Sequence, residues 1–89
     1  MRTAYVLINC DIYHKSQVMK EISQLPGLLE SAELDAAYDI LLKLNLGTVD
    51  ELKEIKGHLK KIPDIKSIIV LVAIEDTDKR SYSLDVMDK

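Results

Sequence analysis

One pattern occurs twice in this sequence, and that repeat restricts the fold more than any other feature. Ala4-Tyr5 opens an apolar run near the N-terminus, and Ala37-Tyr38 opens another in mid-chain. Leu25-Pro26 closes one amphipathic stretch, and Ile62-Pro63 closes a second. Each half reads strand, helix, Pro-marked turn, strand. Two such units in succession give βαββαβ, the split βαβ arrangement, and right-handed crossovers put both helices on the same side of the sheet. A chain of 89 residues holds one such domain and no second.

The elements follow from periodicity. Residues 3–11 are β-branched and aliphatic up to Asp11, which predicts a strand. Residues 16–25 predict a helix with Ser16 as N-cap and Val18, Ile22 and Leu25 on one face; Pro26 and Gly27 end it. Residues 28–34 predict a short second strand and a tight connection follows. Residues 38–46 predict a third, where Tyr38, Ile40, Leu42, Leu44 and Leu46 alternate strictly with Asp39, Leu41, Lys43 and Asn45. Thr48 and Glu51 match a capping box, ahead of a helix with Leu52, Ile55, Leu59 and Ile62 on one stripe. Gly57 interrupts that helix at a cost of about 1 kcal/mol relative to Ala. Residues 65–75 are the most apolar segment and the fourth strand. The expected class is α+β: a ferredoxin-like sandwich, with a four-stranded antiparallel sheet and two helices on one face. Residues 1–75 form the domain, and residues 76–89 form a tail that adds an edge strand or stays disordered.

Two helices cover one face of that sheet. A strand whose other face met water would alternate apolar with polar residues. The first and fourth strands do not. Ala4, Val6, Ile8 and Cys10 fill one side of the first, with Tyr5 and Leu7 on the other; Ile68, Val70, Val72 and Ile74 oppose Ile69, Leu71 and Ala73 in the fourth. Tyr5, Leu7, Leu41, Ile69 and Leu71 would then form a bare patch of a kind monomers avoid, so the chain is expected to dimerise through it. Covering roughly 400–800 Å² per subunit yields on the order of 10–20 kcal/mol before association costs.

Catalytic chemistry is thin. The net charge of −3 and dispersed Lys and Arg exclude a nucleic-acid footprint. Cys10 is the sole cysteine, which excludes an internal disulfide and reads as a small buried hydrophobe. No His pair or Cys pair has metal-ligand spacing, no Gly-rich phosphate loop occurs, and no apolar run approaches a membrane span or a leader. The expectation is a cytoplasmic, non-catalytic protein with no cofactor and no metal. Asp39 is the polar residue that stands out. A carboxylate inside an apolar strand needs a partner, which is either a structural hydrogen-bond donor or a ligand's ammonium group. Ser31 and Ser67 are weaker candidates for the same rim.

The order of these elements, the YVLIN start, the Tyr38-Asp39 pair after the second strand and the helix–Ile62-Pro63–x–Ile65–x–Ser67 turn together resemble the ligand-binding (RAM) domain of the Lrp/AsnC transcription regulators. The resemblance covers residues 3–75. It implies dimers joined through open sheet faces, often rings of four dimers, and a small effector, usually an amino acid, bound between dimers. On that resemblance the ligand-binding positions are Ala36, Tyr38, Asp39, Ser67, Ile68 and Val70. Two features depart from the family pattern: Ala36 stands where Gly is usual, and Ile68 and Val70 stand where hydroxyl residues are frequent. With no helix-turn-helix before the first strand, the chain is expected not to bind DNA itself and to modulate longer relatives. Two other classes stay open. One is a purely structural oligomerisation domain. The other is a small dimeric α+β-barrel enzyme, for which Asn9, Asn45 and His14 are the available polar groups.

Overall fold

The computed structural model describes residues 2–75 and 80–88. Its elements are β1 (Arg2–Cys10), a 3₁₀ turn (Ile12–His14), α1 (Lys15–Ile22), β2 (Leu28–Glu33), β3 (Ile40–Leu46), α2 (Val49–Lys60), β4 (Ile65–Glu75) and β5 (Arg80–Asp88). The strands form one sheet in the order β2-β3-β1-β4-β5. Every neighbouring pair is antiparallel. The first four strands are in the ferredoxin-like order, and β5 extends the sheet beyond β4, with Leu71 in register with Leu84 and Ile69 with Val86.

The core is aliphatic, as a chain without Phe or Trp requires. Val6 of β1 lies in register between Leu42 of β3 and Val70 of β4, and all three are fully buried. Ile8 repeats the arrangement between Ile40 and Ile68. Val18 and Ile22 of α1 and Ile55 and Leu59 of α2 close over this face. Each such side chain contributes about 1.5–3 kcal/mol by leaving water. The helices therefore cover one face of the sheet and leave the other to whatever meets it.

Local chemistry moves several predicted boundaries. Ser16 is not the cap of α1. Asp11 accepts the Tyr13 amide and starts the 3₁₀ turn, which runs directly into the helix, so the position before α1 is His14 and it makes no side-chain cap. The helix ends at Ile22, and Ser23 turns its hydroxyl back onto the Lys20 carbonyl. Leu25 lies beyond the helix yet remains buried. The third strand begins at Ile40, so Tyr38 and Asp39 belong to the preceding bend. At α2 the Thr48 hydroxyl accepts the Glu51 amide at 3.3 Å as expected. The Glu51 carboxylate, however, takes the Gly47 amide at 2.7 Å, one residue before the cap itself.

Gly57 has no structural requirement. Its φ is not positive, and a Cβ built there would meet nothing within 4 Å. Gly57→Ala is expected to raise stability by about 0.5–1 kcal/mol by restricting the unfolded chain and favouring the helix. A rise in the urea midpoint with unchanged slope is the measurement that checks it.

Candidate functional site

The uncovered sheet face and one end of the sheet carry the polar and apolar groups of interest. Strand alternation sends odd-numbered residues of β1 and β3, and those of β4 from Ser67 onward, to the face away from the helices. There Leu7 sits between Leu41 and Ile69, and Tyr5 between Lys43 and Leu71. All six are partly exposed in a single chain. Thr3 and Ala73 continue the layer towards one end, and Asn9 and Ser67 towards the other. The five predicted interface residues are thus brought together in one register. The face is apolar at its centre and polar at its Asn9 end.

At that end, three segments converge. The bend of residues 35–39 is stitched down by the Asp39 amide on the Ile8 carbonyl and by the Leu34 amide on the Asp39 carbonyl. The Asp39 side chain accepts the Cys10 amide through Oδ2 at 2.9 Å. It thereby satisfies a backbone donor where a register shift between Asn9 and Cys10 leaves the β1–β4 ladder. Asn9 donates through Nδ2 to the Ser67 hydroxyl at 3.3 Å. Asp39 and Ser67 thus both contact the last residues of β1. Ala36 is exposed and Tyr38 half-buried in the adjoining bend. Ile68 and Val70 lie elsewhere: both are fully buried under the helices, so within this subunit a ligand at the Ser67 rim does not reach them.

Cys10 is buried and free. Burial first, then the Asp39 carboxylate, pushes its thiol above the ordinary range. It therefore stays protonated at neutral pH and behaves as a small apolar side chain. Asn9 is engaged by Ser67, and the described cavities do not gather Asn9, Asn45 and His14. A groove of about 380 Å³ lies between the helices and is lined by Gln17, Glu21, His58, Lys61, Ile62, Pro63 and Asp64.

One cluster escaped the sequence. The Asp11 amide donates to the Asp64 carbonyl at 2.9 Å, which ties the end of β1 to the turn before β4. His14, one 3₁₀ turn on, then has Nδ1 at 3.4 Å from Asp11 Oδ2 and 3.3 Å from Asp64 Oδ1. The Tyr13 amide, and to a smaller degree His14, holds the Asp11 carboxyl below its usual range. Asp11 and His14 are close in sequence, but Asp64 joins them only through the fold. No spacing rule could have found it.

Among the described residues, no helix is long and apolar enough to cross a membrane. No family model matches the sequence, and no curated protein matches it. Solved structures do. TTHA0845 from Thermus thermophilus has a TM-score of 0.80 at 22% identity, over 89% of this chain and 100% of that one. FFRP-DM1 has a TM-score of 0.76 at 25% identity, over 83% of this chain and 100% of that one. E. coli AsnC has a TM-score of 0.76 at 16% identity, over 90% of this chain and 55% of AsnC. The fold of this chain is that of the RAM-like domain found in the Lrp/AsnC regulators.

Proposed function

We propose that this chain is a non-catalytic regulatory module of the Lrp/AsnC kind, assembling through its uncovered sheet face and binding a small metabolite at the Asp39 end of that face. The observation that carries the reading is the continuous apolar row of Tyr5, Leu7, Leu41, Ile69 and Leu71. A row of that kind, rimmed by polar residues, is a surface for another subunit. The likeness to AsnC supports the regulatory role. Homodimers, or tetramers of dimers, and longer regulators bearing a DNA-binding domain are the proposed partners, in the cytoplasm where such regulators act.

Effector binding rests on charge. An amino acid presents an ammonium group and a carboxylate. Asp39 uses one oxygen for the Cys10 amide, and a carboxylate has acceptor capacity beyond one bond. Ala36, Tyr38 and Ser67 complete the proposed rim. The same Cys10 contact favours a second reading, in which Asp39 is purely structural and the chain is only an oligomerisation domain.

Two substitutions separate these readings. Asp39→Asn keeps an oxygen for the Cys10 amide and removes the charge. If Asp39 receives an ammonium group, this variant assembles normally and loses its response to amino acids. Asp39→Ala leaves the amide without its partner and is expected to cost about 1–3 kcal/mol with or without ligand. The readout is thermal unfolding with each amino acid at millimolar concentration, where a ligand at 100 times its Kd adds about 2.7 kcal/mol. The wild-type chain showing no shift with any of the twenty would leave the oligomerisation reading standing.

A further inference from the structure

We propose that Asp11, His14 and Asp64 form a three-ligand site for a divalent transition metal ion, Zn²⁺ first among them. The donor set is one imidazole nitrogen and two carboxylate oxygens, which suits zinc and its borderline neighbours. The ligand atoms all lie within 4.8 Å of one another. Nδ1 of His14 stands 3.4 and 3.3 Å from the two oxygens. Charge-assisted hydrogen bonds are shorter, about 2.7–2.9 Å. Tetrahedral ligands about 2.0–2.1 Å from zinc are separated by roughly 3.3–3.4 Å, and the two distances from His14 to the carboxylates match that edge.

The donors are also held in place by backbone contacts. The Asp11 amide on the Asp64 carbonyl fixes the two carboxylate-bearing segments relative to each other. The His14 amide on the Asp11 carbonyl sets the turn that brings the imidazole round. The Tyr13 amide occupies Asp11 Oδ1 at 3.0 Å and leaves Oδ2 directed at His14. Partners of this kind orient metal ligands and tune their affinity. Lys66 and Lys15 lie near enough to act on this region. They offset part of the negative field without supplying a ligand. All three donors are partly solvent-exposed, so a fourth position would be open to water or to a carboxylate from another molecule.

The test uses the full chain, stripped with EDTA and titrated with ZnCl₂ by calorimetry and with CoCl₂ by visible absorption. One ion per chain is expected, with cobalt d–d bands of tetrahedral intensity. His14→Ala and Asp64→Asn should each weaken binding by at least the 10–100-fold that even an outer partner of a metal ligand is worth. His58→Ala should leave it unchanged, and circular dichroism should show every variant folded. Absence of stoichiometric binding below millimolar metal would overturn the proposal and leave the His14 imidazole as a side chain set between two carboxylates. Binding that survives both substitutions would overturn it equally, by placing the ion elsewhere. Neither result bears on the amino-acid response at Asp39.

Discussion

Replacing Ile69 with aspartate should dissociate the assembly into single folded chains. Ile69 lies on the uncovered face directly across from Leu7 of β1, and its register partner on the other side is Val86 of β5. Along its own strand the same face carries Ser67 and Leu71. Its register partners are both aliphatic, so no cation stands beside it within the sheet. Two sheets packed face to face enclose a layer about 10 Å thick, and two-fold symmetry would place two such carboxylates in it. Even a polar group buried without a hydrogen bond costs about 1–3 kcal/mol, and an unpaired charge costs more. The pair of substitutions should therefore raise the dissociation constant by at least about 1000-fold. The single chain should tolerate the change, because Ile69 is only half-buried there. Sedimentation velocity at micromolar concentration should show the wild-type chain as a dimer or a multiple of it, Ile69→Val unchanged, and Ile69→Asp at the mass of one chain. A wild-type protein that sediments as a monomer would remove the basis for assembly through this face.

The sequence revealed the architecture more fully than the site, and the difference is physical. Period-two alternation in β3 and the unbroken apolar run of β4 report burial directly, so the buried set Ile40, Leu42, Leu44 and Leu46 was visible before any fold existed. The bounds of β4 agree with the apolar segment for the same reason. Helix starts depend on which of several short polar residues wins a local competition. Ser16 was the nearer candidate for α1, but Asp11 captured the Tyr13 amide and began the turn earlier. The placement of Ile68 and Val70 follows from strand parity. Ser67 and Ile68 are consecutive, so their side chains point to opposite faces, and a rim that includes Ser67 excludes its neighbour. The contacts of Asp39 with Cys10 and of His14 with Asp64 join residues far apart in the chain. A single sequence carries no local signal for either.

Gly27→Ala is the substitution expected to damage the fold most, and the reason lies in the turn that sends the chain from α1 into β2. Gly27 has φ +77, a left-handed conformation that costs an L-residue with a side chain about 1–2 kcal/mol. Its carbonyl accepts the Asn45 amide at 2.8 Å, which clamps the turn against the end of β3. A Cβ at this position would stand 2.6 Å from the Asn45 carbonyl oxygen. That oxygen is backbone within a paired strand, so relief requires moving β3 or opening the clamp. Conformational penalty and displacement together should total about 3 kcal/mol or more, within the range reserved for strained backbone sites. Against a total of roughly 5–15 kcal/mol for a native domain, that is a large share. Gly47→Ala is the informative control. Its added Cβ would approach the Glu51 side chain at 3.0 Å, and that side chain can swing aside, so the urea midpoint should fall only slightly. Gly57→Ala should raise the midpoint, and Gly27→Ala should lower it far below both. β2 is an edge strand whose Leu28 only partly packs on the core, so loosening the clamp should show first as accelerated amide exchange along residues 28–33. If Gly27→Ala and Gly47→Ala unfold at the same urea concentration, the close approach of Gly27 to Asn45 is not a determinant of this fold.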